Sequence, residues 1–250
     1  MKVKIGEIDL FSSIAYPDKP STVIYFQGCN FECPWCWNSN YLDSFLGEEK
    51  EISEVVQEIK EDPTETEVVV IDGGEPTQQP EALEILCETL KKEGYEVQIN
   101  TNGTNPRIIE EMGIKGKMDR VALDVKAPLE FQRKYSKAIG KKVGKRHTEG
   151  VKKILRVSNL CKYELEPRTT VIPGLTDSEH WINKIAKTVG TYTNKYVLQG
   201  FTPEKGTLEQ EYQEEDKITR EKLIKLALEA RKYVKHVKIR TLEAGTEDIS

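Results

Sequence analysis

Cys29, Cys33 and Cys36 fall within eight residues, inside the stretch GCNFECPWCWN at 28–38. They directly follow the apolar run Val23-Ile24-Tyr25-Phe26, which reads as a strand running into a loop. Three thiolates so placed are poised to hold one object. Soft sulfur ligands suit zinc, copper(I) or an iron–sulfur cluster. A structural zinc asks for a fourth Cys or His at suitable spacing, and His147, His180 and His236 all lie far along the chain. A cubane [4Fe–4S] cluster takes one thiolate per iron. Three thiolates leave one iron open to an outside ligand, which points to catalysis. A zinc-stabilised interaction protein and a redox thiol site are the alternatives.

Some scaffold has to place that loop. Over residues 21–200 the apolar pattern switches repeatedly between β-branched runs and helical spacing. Glu67-Val-Val-Val-Ile-Asp72 reads as a strand, as do 95–100, 119–125, 161–172 and Tyr196–Gln199. Helices are predicted over 48–60, with Ile52, Val55, Val56 and Ile59 on one face, and over 80–92, burying Leu83, Leu86, Cys87 and Leu90. A short helix carries Ile108, Ile109 and Met112; others cover 128–139, 147–158 and 178–189, the last capped by Thr176 or Asp177. About six strand–helix units mean parallel strands with helices outside. They suit an α/β fold of the incomplete (β/α)6 barrel type better than the closed eight-unit form. A short N-terminal strand (Val3, Ile5) precedes the units. A helix at 219–234 capped by Thr219 and a short strand at 237–241 follow, covering the open side of the barrel or meeting a partner. No linker divides the chain, so a single domain is expected over 1–250, with a core at 21–200 and a C-terminal extension at 201–250.

In parallel α/β folds, ligands gather at the carboxyl ends of the strands. The polar residues that end the apolar runs fall there. Gly73 and Gly74 permit close backbone approach and an unusual turn, and Glu75 offers an acceptor for an ammonium. Asp124 and Lys126 are two residues apart and share one face of their strand. An unpaired charge inside a barrel is costly, so these two are expected to pair or to meet a ligand. Arg168, five residues before Pro173, supplies a fork suited to a carboxylate. In the segment after the cysteines, Tyr41, Leu42, Phe45 and Leu46 are expected to cover the metal group from solvent. Cys87 is expected in the core.

The C-x3-C-x2-C run at Cys29, Cys33 and Cys36, followed by Gly73-Gly74-Glu75, resembles the radical S-adenosylmethionine (radical SAM) superfamily. It is most similar there to the activating enzymes of glycyl-radical enzymes, particularly the activases of anaerobic ribonucleoside-triphosphate reductase. The resemblance implies a radical SAM barrel with a [4Fe–4S] cluster on the three cysteines and the amine and carboxylate of SAM on the fourth iron. It also implies that Gly73-Gly74-Glu75 binds the SAM amino group. Asp124 and Lys126 then contact SAM, the lysine near its carboxylate, and Arg168 helps to fix it. Trp35 and Gln199 are further implied cofactor contacts, Gln199 toward the ribose or adenine with Val197 against the adenine. Ser12–Pro17 resembles the activase lead-in beside the cluster strand. The implied chemistry is reductive cleavage of SAM to methionine and a 5′-deoxyadenosyl radical, with flavodoxin or ferredoxin as electron donor. The implied partner is a glycyl-radical enzyme such as anaerobic ribonucleotide reductase; a small molecule or nucleotide substrate is the alternative.

The chain departs from that pattern in places. Asn100 stands where an aspartate can help bind a monovalent cation, so no such cation is expected. Trp37 replaces a common histidine, and Gly200-Phe201-Thr202-Pro203 lacks a histidine that some relatives use near the ribose.

Composition fits this reading. Hydrophobic content of 37 % with 32 % charged residues is that of a soluble protein. There is no apolar run of about 18 residues and no N-terminal hydrophobic leader, so neither a membrane span nor export is expected. Clustered cysteines look unlike a disulfide framework and suit a reducing cytoplasm. Cys87 and Cys161 cannot build a second four-cysteine cluster. A formal charge of -5 gives no global reason to expect nucleic acid. The basic loop 140–146 and Lys152-Lys153 read as solvated surface or as a grip on an acidic partner.

Overall fold

Val68, Val69, Val70 and Ile71 are all fully buried, as a strand covered on both faces requires. The computed structural model describes residues 1–17, 19–62, 64, 66–142, 144–203 and 206–249; Val143 of the basic loop lies outside the described residues. The chain runs through β1 (Lys2–Ser12), β2 (Ser21–Phe26), β3 (Glu48–Glu51), α1 (Ile52–Glu61), β4 (Val68–Gly73), α2 (Pro80–Lys92), β5 (Glu96–Thr101), α3 (Pro106–Lys115) and β6 (Arg120–Asp124). It continues through α4 (Gln132–Ala138), α5 (Lys145–Val157), β7 (Glu164–Val171), α6 (Glu179–Gly190), β8 (Lys195–Gly200), α7 (Gln210–Gln213), α8 (Arg220–Ala230), β9 (His236–Thr241) and β10 (Gly245–Ile249).

One sheet joins the strands in the order β10-β9-β8-β7-β6-β5-β4-β2-β1-β3. From β2 to β9 the pairings are parallel, beginning with Ser21 opposite Val68 and ending with Gln199 opposite Arg240. β1, β3 and β10 pair antiparallel at the two edges, and the sheet stays open. The incomplete barrel expected from the strand–helix repeats is therefore present, lengthened by one more parallel strand. β9 is that addition: the segment read as a cover over the open side belongs to the sheet itself.

Alternation along the strands separates two faces. Val69 and Ile71 of β4, Val121 and Leu123 of β6, Tyr196 and Leu198 of β8, and Val237 and Ile239 of β9 join the main core beneath the helices. Their neighbours point to the concave side. There Val23, Val68, Val70 and Tyr16 form a small separate cluster, and Asp72, Asp124, Arg168, Gln199 and Arg240 share the face with them. A polar concave wall set on an apolar convex one reserves the interior for a charged ligand.

Two boundaries differ from expectation for local reasons. Residues 48–51 form β3 against Lys2–Ile5 rather than the start of a helix, because an edge partner offers the backbone a ladder; Glu51 still caps the helix that follows, its N–H donating to Glu54 Oε2 at 3.0 Å. α6 is capped by Ser178, whose side chain accepts from Trp181 N. Thr176 instead closes the turn after β7, accepting from Ile172 N at 2.8 Å, and Asp177 pairs with Lys222 at 2.6 Å. The Thr219 cap of α8 is as expected. Among the described residues no helix is long and apolar enough to cross a membrane.

Candidate active site

The chain leaves β2 through Gly28, whose φ of 99° lies in the region open to glycine. Backbone hydrogen bonds then hold the cysteine loop on two sides. Gly28 N and Cys29 N donate to Tyr41 O and Leu42 O at 2.9 and 3.0 Å, and Glu32 N donates to Ile139 O at 3.0 Å. Two indoles anchor it further: Trp35 Nε1 donates to Ala138 O at 3.0 Å and Trp37 Nε1 to Thr202 O at 2.7 Å. Trp37, standing in place of a histidine, thus ties the loop to the segment after β8.

All three thiols are free of disulfides and line one cavity of about 680 Å³. Burial pushes Cys29 and Cys33 up to about 12 and Cys36 up to about 11, against the pull of nearby Lys126. Thiols of this kind ionise when a metal takes the proton's place. Three thiols lining one cavity suit a cluster that takes one thiolate per iron and leaves one iron open.

Gly73 and Gly74 press the end of β4 against this loop. A Cβ on Gly74 would collide with Gly28 O, and one on Gly73 with Phe26 O. Gly74→Ala is accordingly expected to lower stability by about 1–3 kcal/mol and to reduce iron loading, read by thermal denaturation and iron content. A variant with parental melting and loading would contradict the contact. Glu75 is 1 % exposed and stands behind the cavity wall. Its Oε1 accepts from Thr77 Oγ1 at 2.5 Å and Thr101 Oγ1 at 2.8 Å, and its Oε2 from Asn102 N at 2.6 Å. Burial raises its pKa while these donors oppose the rise. Asn102 Nδ2 in turn donates to Asn30 Oδ1 at 2.8 Å, so the carboxylate braces β4, β5 and the cysteine loop together.

A charged chain crosses the opposite wall. Lys126 Nζ pairs with Asp124 Oδ2 at 2.9 Å and lies 4.9 Å from the centre of the Trp35 ring. Burial works to lower the lysine's pKa, but the paired Asp124 outweighs it and keeps the ammonium charged. Asp72 Oδ2 accepts from Asn100 Nδ2 at 2.7 Å, and Asn100 Oδ1 accepts from Arg168 Nη2 at 3.1 Å. Burial raises Asp72 against the help of Asn100. Arg168 Nε lies 2.7 Å from Glu166 Oε1, and Arg240 Nη2 lies 3.2 Å from the same oxygen. Arg120 pairs with the other oxygen. Burial tends to raise Glu166, yet Arg168, Arg240 and Arg120 hold it down at about 2.

The structure brings Cys29, Cys33, Cys36, Trp35, Gly73, Gly74, Asp124, Lys126, Arg168 and Gln199 into the lining of one cavity, together with Ser12–Ala15 of the lead-in segment. Glu75 and Val197 are buried outside that lining. Phe45 and Leu46 are 91 % and 57 % exposed, so they do not cover the cysteines, whereas Tyr41 and Leu42 do line the cavity. Cys87 is fully buried in the core. Asp72, Glu166 and Arg240 were missed. Period-2 counting would have found Asp72 from Val68 and Val70, and Glu166 from Arg168.

The radical SAM superfamily profile matches residues 23–187, which spans the cysteine loop and most of the parallel strands. The chain belongs to the radical SAM superfamily. Its cofactors are a [4Fe–4S] cluster and S-adenosylmethionine, and it is an enzyme. It is 37 % identical over 257 residues to a Methanocaldococcus jannaschii protein provisionally named a glycyl-radical enzyme activating enzyme, covering 100 % of both chains. It is also 45 % identical over 85 residues to 7-carboxy-7-deazaguanine synthase of Aquifex aeolicus, covering 34 % of this chain and 37 % of that one. Among solved structures, TYW1 with a lysine-pyruvate adduct bound superposes with a TM-score of 0.66 at 18 % identity, over 90 % of this chain and 77 % of that one. That likeness concerns the fold.

Proposed function

We propose that Cys29, Cys33 and Cys36 carry the cluster and that the cavity beside them binds SAM for the activation of a glycyl-radical enzyme. The supporting observation is that the three thiols share one cavity with the Asp124–Lys126 pair, Arg168 and the Gly73-Gly74 backbone. A cluster held by Cys29, Cys33 and Cys36 would supply, when bound, one-electron reductive cleavage of SAM and, through it, hydrogen-atom abstraction from the substrate. The chain's own residues position the reactants for that event. Lys126, held charged by Asp124, and Arg168 meet the methionyl carboxylate. The Gly73-Gly74 turn lets the backbone approach the amino end, and Glu75 fixes that turn from behind. Trp35 and Gln199 bound the remaining cavity. The chain acts as one domain, in the cytoplasm, and draws electrons from a flavodoxin or ferredoxin.

The partner we favour is anaerobic ribonucleotide reductase, entering through the open side of the sheet. Mixing the reduced, SAM-loaded protein with that reductase is expected to yield a glycyl electron paramagnetic resonance doublet on the reductase. Deoxyadenosine without the doublet would favour the second reading, a small-molecule substrate, which the similarity to 7-carboxy-7-deazaguanine synthase supports.

A further inference from the structure

Between Phe131 and Thr148 the chain carries seven Lys and Arg residues and no Asp or Glu, although the whole protein has a net charge of -5. Arg133, Lys137, Lys142, Lys145 and Arg146 are exposed. Among the described residues none of the five has an ion-pair partner, whereas Lys152 and Lys153 close by are paired with Glu149 and Glu110. Holding this many unpaired cations together works against folding through mutual repulsion. A surface so composed gains when an acidic body covers it.

What this surface rests on decides its partner. The segment packs directly on the outer side of the cysteine loop. Ile139 O accepts from Glu32 N at 3.0 Å, Ala138 O accepts from Trp35 Nε1 at 3.0 Å, and Lys141 Nζ pairs with Glu32 Oε1 at 2.9 Å. The His147 ring lies 5.9 Å from that of Phe31. Glu32 and Trp35 adjoin Cys33 and Cys36 in sequence. Two hydrogen bonds therefore link the backbone of the basic segment to residues beside two of the cysteines. No described residue of this segment lines the cavity. A substrate of the radical chemistry must reach the cavity; a body seated on the basic surface would reach the cysteines from behind it.

We infer that the surface formed by Arg133, Lys137, Lys142, Lys145 and Arg146 docks an acidic one-electron carrier protein that reduces the cluster. The inference rests on the cluster assignment proposed above. One electron passes from the reduced carrier to the oxidised cluster; the carrier is oxidised by that one electron, and no bond or proton changes hands. Opposite charge speeds encounter and orients the carrier so that its redox centre faces Glu32. An RNA would match the charge but brings no electron to a face that leads only to the cysteines.

The test measures the Kd of a strongly acidic flavodoxin for the full chain and for the K142E/K145E/R146E variant at several salt concentrations. Deoxyadenosine formation driven by dithionite is followed in parallel. The variant is expected to bind at least about tenfold more weakly, with a flatter salt dependence, while its dithionite-driven turnover equals that of the parent. The K142R/K145R/R146K variant is expected to bind as the parent does. Equal flavodoxin affinity in the parent and the charge-reversed variant would overturn the inference. So would salt-dependent binding of an RNA hairpin that the reversal abolishes while flavodoxin affinity is unchanged. Absent dithionite-driven turnover in every protein would instead remove the functional reading, since the flavodoxin Kd judges the docking surface separately.

Discussion

Replacing Cys33 by alanine is expected to reduce SAM cleavage to the level of protein without iron. Cys33 is 5 % exposed and lines the cavity together with the other two thiols of the loop. Each thiolate answers to one iron, and the open iron must remain open, so no spare ligand stands ready in the loop. The two other cysteines cannot replace it: Cys87 is enclosed in the core, and the half-buried Cys161 points its sulfur toward Glu110 O. Iron and sulfide analysis after anaerobic reconstitution, with deoxyadenosine measured by chromatography, checks the result. Cys161→Ala serves as the matched control and is expected to retain parental turnover. Turnover by the Cys33 variant would show that the ligand set is wrong.

Glu166→Gln is expected to be the most destabilising single change in the concave wall, at about 3–5 kcal/mol. The side chain is 4 % exposed and is shared by Arg120, Arg168 and Arg240. An amide keeps the shape but leaves buried guanidinium charge without its counterion. Burial and the neighbouring Arg168 already lower Arg240 to about 10, which indicates how little further positive charge this region tolerates. Because Glu166 titrates near 2 in the fold and has an ordinary value of 4.5, its contribution is complete above pH 4.5 and disappears as pH falls toward 2. Urea denaturation of parent and variant at pH 7, repeated down to pH 2, reads both effects. The difference between them should be large at pH 7 and shrink in acid. A gap below about 1 kcal/mol at pH 7 would place the anion for these arginines elsewhere.

The parallel core was legible because both of its signals are periodic. Four buried aliphatic residues in a row at 68–71 could only serve a strand covered on two faces, and Ile52, Val55, Val56 and Ile59 recur at helical spacing. What escaped were choices among local equals and partners distant in sequence. Thr176, Asp177 and Ser178 are all good cap formers, and only the turn after β7 and the presence of Lys222 select Ser178. Residues 48–51 carry no strand pattern of their own; the ladder with β1 makes them one. In the site, Gly73, Asp124 and Lys126 announced themselves by following apolar runs at strand ends, whereas Arg168 lies mid-strand between Pro167 and Thr169 and was legible from its place five residues before Pro173. Arg240 was not, because its importance comes from Glu166, which lies 74 positions earlier. Glu75 reads from the sequence as an acceptor for an ammonium; the donors Thr77, Thr101 and Asn102 placed around it add a bracing role that its position in the chain did not announce.

The most direct test of the central claim is anaerobic SAM cleavage by the reconstituted, reduced protein. The account predicts deoxyadenosine and methionine in equal amounts, from protein that binds iron and sulfide at four of each per chain. A fully loaded cluster that yields neither product under reduction would contradict it.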